Sequence, residues 1–123
     1  MAAHQIGLEL NQIIRSLLFR AEGDRYVLVL MPAGSRVRWS KLRHFLGVSR
    51  IATATAEEVR TVTGYEPGAV SPFGLVTPIR ILADRGLLDY SILSIGAGIP
   101  NAGVILARDD LLNILAPEFG DFA

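Results

Sequence analysis

Between Thr63 and Leu75 the chain reads Gly64-Tyr65-Glu66-Pro67-Gly68-Ala69-Val70-Ser71-Pro72-Phe73-Gly74, and no other segment constrains the fold as much. Three glycines and two prolines in eleven residues remove backbone donors and fix φ at some points while freeing it at others. Neither a helix nor a strand runs through such a segment. A long shaped loop therefore sits in the middle of a chain of 123 residues, and regular elements must lie on either side of it.

Upstream, Ala2 to Leu8 reads as the tail of a helix stopped by Gly7. The apolar runs Ile13 to Arg20 and Tyr26 to Met31, joined by Ala21-Glu22-Gly23-Asp24-Arg25, predict a β-hairpin. Ser40 is placed to cap a short helix with Leu42, Phe45 and Leu46 on one face and Gly47 after it. Arg50 to Ala54 follows as a short strand. Thr55 and Glu58 have the spacing of a capping box, and Gly64 supplies the stop of the helix they open. Downstream of the loop come strands Ile79 to Ala83 and Ile92 to Ile95, a turn from Gly96 to Gly103, and a strand Val104 to Ala107. A helix from Asp109 to Leu115 then carries Leu111, Ile114 and Leu115 on one face, with Asp109 and Asp110 suited to its N-terminal dipole. This order predicts one α/β domain of the α+β type over residues 1–123, a mixed, largely antiparallel sheet with helices packed on it.

Composition narrows the chemistry. The absence of cysteine excludes a disulfide framework, a thiolate zinc site and a cysteine nucleophile. The two histidines, His4 and His44, are far apart in sequence and have no acidic cluster around them, so neither a metal nor another cofactor is expected. Mean hydropathy is +0.38. The longest uncharged stretch, Tyr90 to Ala107, nevertheless holds Gly96, Gly98, Pro100, Asn101 and Gly103 at its centre and reads as strand, loop and strand rather than a membrane span. With no cationic start leading into a sustained apolar run, no signal peptide is read and a cytoplasmic location is expected.

Charge is uneven. Residues 1–60 hold nine Arg and Lys against five Asp and Glu, and residues 61–123 hold three against seven. From Arg36 to Arg50 the cations Arg36, Arg38, Lys41, Arg43 and Arg50 have no acid among them. Such a run is either a solvated face or a surface that meets phosphates.

Three features can carry chemistry. By period two, Arg15 shares a strand face with Ile13, Leu17 and Phe19, so its guanidinium must reach an anion, pair with a carboxylate or snorkel out at a sheet edge. The Gly64 to Gly74 loop leaves N–H groups free to hold a carbonyl oxygen as charge develops on it, with the Ser71 hydroxyl nearby, unless the loop serves topology alone. Gly96-Ala97-Gly98 follows a strand, but Asn101 stands where a third glycine would complete a dinucleotide fingerprint. Close approach to a ligand or to another strand is the remaining use for these glycines.

Taken together, Ile13-Ile14-Arg15-Ser16-Leu17-Leu18-Phe19-Arg20, Val27-Leu28-Val29-Leu30, the run from Thr63 to Gly74 and Gly96-Ala97-Gly98 resemble the YbaK/ProX family of aminoacyl-tRNA deacylases. The resemblance implies a YbaK-like, prolyl-tRNA-synthetase-associated fold and metal-free, trans-acting hydrolysis of a misacylated tRNA, of the Ala- or Cys-charged tRNA-Pro class. The partners it implies are the acceptor end of an aminoacyl-tRNA and prolyl-tRNA synthetase. In the family a lysine on the first hairpin strand helps hold the terminal adenosine and its ester, and a Gly-x-x-x-Pro loop supplies backbone donors. These roles carry over to Arg15 and to Gly68, Ala69, Ser71 and Pro72. The substrate pocket is then expected to include Phe73, Gly74, Gly96, Ala97, Gly98 and Asn101, and the tRNA surface Arg36, Arg38, Lys41 and Arg43. The chain departs from the family in three ways: arginine replaces the lysine, Ala69 replaces the glycine after Gly68, and Met1 enters at the end of the first helix. A catalytically weak relative that binds tRNA or another partner is the alternative these departures leave open.

Overall fold

The computed structural model describes residues 8–96 and 103–123. A five-stranded sheet runs in the order β3-β1-β2-β4-β7, with β1 Ile14–Ala21, β2 Arg25–Pro32, β3 Ile51–Thr53, β4 Arg80–Asp84 and β7 Glu118–Gly120. A hairpin of β5 Ile92–Gly96 and β6 Gly103–Ala107 stands beside it, joined through an isolated parallel bridge between Ile13 and Ser94. Among the described residues three strand pairs are antiparallel, β1 with β2, β1 with β3 and β5 with β6, while β2 with β4 and β4 with β7 are parallel. The mixed, largely antiparallel α+β class expected from the sequence is the fold observed.

Among the described residues three helices cover the sheet: α1 Trp39–Leu46, α2 Ala56–Thr63 and α3 Arg108–Leu115. The central strand β2 is buried from Val27 to Pro32 because it has a covered layer on each face, which is why it reads as a continuous apolar run rather than an alternating one. Leu28 and Leu30 join Ile14, Leu18, Val59, Val70, Leu93 and Leu111 in one core, whereas Val27, Val29 and Met31 join Phe19, Leu42, Leu82 and Phe122 in the other. Leu17 packs with the second group, so the alternation along β1 puts Leu17 and Phe19 on the α1 face, as expected.

Thr55 and Glu58 make the predicted reciprocal cap on α2, and Gly64 ends that helix in the left-handed region at φ 82°. Glu58 has a second task. It also accepts from the Tyr26 hydroxyl and pairs with Arg20 at 3.1 Å, tying α2 to the hairpin. The Thr55 N–H and the Tyr26 hydroxyl hold its carboxyl down to about 2.

The expected cap at Ser40 is corrected. The first helix begins two residues earlier, with Arg38 at the cap position and no side-chain cap; the Arg38 N–H instead donates to the Phe122 carbonyl at 2.6 Å. A tertiary contact set that boundary. Buried Asp84 anchors the same region by accepting from the Phe122, Ala123 and Gly86 N–H groups, which keeps Phe122 fully buried beneath α1. Also absent from the sequence reading are β7 and the short 3-10 turns Leu10–Gln12 and Arg85–Asp89. The three-residue β7 carries no apolar run and depends on its parallel register with β4 and on the Arg80 to Glu118 ion pair. The helix tail expected at Ala2 to Leu8 falls almost wholly outside the described residues, as does most of the turn between Gly96 and Gly103. Among the described residues no helix is long and apolar enough to cross a membrane.

Candidate active site

The site begins with a gap beside β1. In an antiparallel strand, the N–H and C=O of one residue point to the same side, and successive residues alternate sides. The Ile13 carbonyl accepts from Ala33 N–H on the β2 side at 2.8 Å, and the Leu18 carbonyl accepts from Ala54 N–H on the other side at 3.1 Å. Odd residues of β1 therefore face β2, and even residues face outward. On that outer side β5 reaches only the Ile13 bridge and β3 pairs only from Phe19, so the edge is open at Ser16, between Arg15 and Leu17.

A cavity of about 620 Å³ opens at this edge and straddles the sheet. One part is lined by Ser16, Leu18, Ala54, Val59, Gly68 and Val70, and the other by Arg15, Leu17, Phe19, Arg36, Val37 and Trp39. Its volume lies in the range of small-molecule sites, about 300–1,000 Å³.

The first wall is shaped by the Gly64 to Gly74 loop. Gly68 sits at φ 82°, a conformation that disfavours any side chain, although a Cβ there would meet open space. The Ala69 N–H is used within the loop, donating to the Glu66 carbonyl at 3.0 Å. The N–H groups of Gly68 and Val70 have no acceptor among the described residues, and both residues line the cavity. The Tyr65 hydroxyl donates to the Phe73 carbonyl and closes the loop on itself. Ser71 is buried, and its oxygen accepts from the Phe73 N–H at 3.2 Å, so its hydroxyl shapes the loop instead of lining the cavity. Ala69 and Pro72 are buried as well, Phe73 packs on the core, and exposed Gly74 lies beside the Tyr65 hydroxyl. Gly96 ends β5 against the loop, where a Cβ would come within 3.2 Å of the Val70 carbonyl. Close approach of two backbones is thus the use of this glycine. Ala97, Gly98 and Asn101 lie outside the described residues.

The second wall is cationic. Arg15 is exposed, and no carboxylate pairs with it among the described residues, so the structural ion pair is removed from its possible readings. Nor is it a charge forced among apolar side chains, because at an open edge it extends into the cavity mouth. Arg36 joins it there, also without an ion-pair partner among the described residues. The rest of the basic run disperses. The Lys41 ammonium donates to the Ala123 backbone oxygen at 2.7 Å and faces a separate hollow with His44, Arg85 and Asp121. Arg38 and Arg43 do not line the Arg15 cavity.

Two cavity residues were not singled out from sequence. Ser16 Oγ is buried with no hydrogen-bond partner among the described residues, and the only outward sign was an uncharged polar residue within an apolar run. Trp39, the single tryptophan of the chain, stands just before the expected Ser40 cap and so outside the helix read from sequence.

Comparison with known proteins identifies the family of the fold. Residues 1–114 match the model of a family described as the aminoacyl-tRNA editing domain. The chain is 32% identical over 125 residues to a proline–tRNA ligase of Limosilactobacillus fermentum, covering 98% of this chain and 22% of that one. It is 42% identical over 92 residues to the proline–tRNA ligase of Bacillus licheniformis, covering 75% of this chain and 16% of the ligase. It therefore spans less than a quarter of the length of these ligases. An uncharacterized Bacillus subtilis protein, YwhH, is 31% identical over 110 residues, which is 89% of this chain and 69% of that one. A solved structure described as "a putative trans-editing enzyme for prolyl tRNA synthetase" superposes with a TM-score of 0.92 at 32% identity, covering 98% of this chain and 76% of the other. With its fold, its glycine loop and nearly its full length accounted for by these matches, the chain belongs to the aminoacyl-tRNA editing domain family.

Proposed function

We propose that this protein hydrolyses, in trans and in the cytoplasm, the aminoacyl ester of a misacylated tRNA, with Ala- or Cys-charged tRNA-Pro as the substrate class. One observation carries the reading: a single cavity joins Arg15 and Arg36 to a loop wall with the Gly68 and Val70 N–H groups, and among the described residues these guanidiniums have no carboxylate and these N–H groups no acceptor. The cations suit the phosphates of an acceptor end, and the loop donors suit the ester carbonyl.

Water adds to the carbonyl carbon, and the carbonyl oxygen takes up the negative charge, which the loop N–H groups stabilise. The bond to the ribose oxygen then breaks, that oxygen takes the proton the attacking water gives up, and free amino acid and uncharged tRNA result. Arg15 contributes charge and position only, since a guanidinium does not give up its proton near neutral pH. Fixed donors in a site that orients the ester suffice for chemistry of this kind.

The test is a panel of Ala-, Cys- and Pro-charged tRNA-Pro incubated with the protein while released amino acid is followed. Release of Ala or Cys well above the spontaneous rate, with Pro spared, is expected. Tight binding of all three with no release would instead identify the chain as a tRNA-binding relative without catalysis.

A further inference from the structure

Trp39 opens α1 at the cavity mouth and remains 40% exposed. Its ring lies perpendicular to that of buried Phe19, with centroids 5.7 Å apart and planes at 90°, and part of the indole surface stays open to the cavity. Its backbone is steadied by the Arg38 N–H bond to Phe122. Arg15 and Arg36 line the same cavity with no carboxylate paired to them among the described residues.

An accessible aromatic surface beside unpaired guanidiniums is the combination that binds single-stranded nucleic acid: a base stacks on the ring and the cations take the phosphates. A free acidic metabolite would use the cations but has no need of the indole. We propose that Trp39 is the stacking platform for the terminal base of the tRNA acceptor end, with Arg36 on an adjoining phosphate. This rests on the deacylase reading and adds to it a positioning residue on the wall opposite the loop donors. The base lies on the α1 side of the β1 edge, and the ester crosses that edge to Gly68.

Because Trp39 is the only indole in the chain, its emission reports on this site directly. The wild-type protein is titrated with a CCA trinucleotide, with 5'-AMP and with ribose 5-phosphate. Saturable quenching by the first two and none by the third is expected. Deacylation is then compared in Trp39→Phe, which keeps a stacking ring, and Trp39→Leu, which keeps an apolar cover over Phe19. Trp39→Phe should stay near wild type, and Trp39→Leu should raise KM about tenfold with kcat little changed. Absence of quenching by CCA in a protein that deacylates tRNA overturns the platform and leaves the deacylase reading standing. Equal KM for the two variants overturns it as well. Quenching by CCA without any hydrolysis supports the platform and removes the deacylase reading.

Discussion

On one side of the open β1 edge the cavity wall is made of backbone and small side chains, Gly68, Val70, Ala54 and Val59; on the other it is two arginines and a half-exposed indole. The loop wall is organised by contacts within a few residues of one another: Ala69 to Glu66, Ser71 to Phe73, Tyr65 to Phe73. The cationic wall is assembled from β1 and from the segment before α1, which come together only when the sheet forms. A wall of the first kind is rigid and tolerates little change in its backbone. One of the second kind exchanges charge for charge with smaller consequence, because a flexible side chain can re-aim.

The sharpest way to break this comparison is Gly68→Ala. There is room for the methyl group but the positive φ resists it, so the substitution acts by turning the peptide. A fall in kcat of about 100-fold is expected, the effect of losing one oxyanion donor. The accompanying loss of stability should be about 1 kcal/mol, read from thermal melts. Undiminished turnover would show that the loop wall is only topological.

Arg15→Ala should act next most strongly. Arg15 is exposed and without an ion pair among the described residues, so the melting temperature should hardly move. Removing a charged hydrogen bond worth about 1.5–3 kcal/mol should lower kcat/KM roughly tenfold or more. Arg15→Lys should restore most of that, since it keeps the charge on a smaller head. A large drop in melting temperature with tRNA affinity intact would contradict the placement of Arg15 at the substrate.

The smallest effect separates Arg36 from Lys41. Alanine at Arg36 should reduce the salt dependence of tRNA binding by about one phosphate contact. Alanine at Lys41, whose ammonium is bonded to the Ala123 backbone oxygen away from the cavity, should leave the slope unchanged. Equal slopes for the two variants would mean that the whole basic run faces tRNA.

The amino-acid sequence by itself determined the features governed by local physics. The hairpin, the Thr55 cap, the Gly64 and Gly47 stops and the presence of a long shaped loop were all legible, because backbone conformation and nearest-neighbour hydrogen bonds decide them. Arg15 and Gly68 were legible as candidates for the same reasons of periodicity and loop composition, aided by family resemblance. What only the tertiary structure decided is where those pieces meet. It left the β1 edge open between the Ile13 bridge and β3, added β7 through its pairing with β4, and moved the start of α1 through the Phe122 carbonyl. It also sent Arg36, in the segment before α1, into the cavity and Lys41, on α1, away from it, since an unpaired segment and the helix that follows it aim their side chains by different rules. Ser16 and Trp39 could not be singled out beforehand. A polar residue in an apolar strand and an aromatic just before an expected helix cap are ordinary in sequence, and their meaning comes from distant segments packed around them.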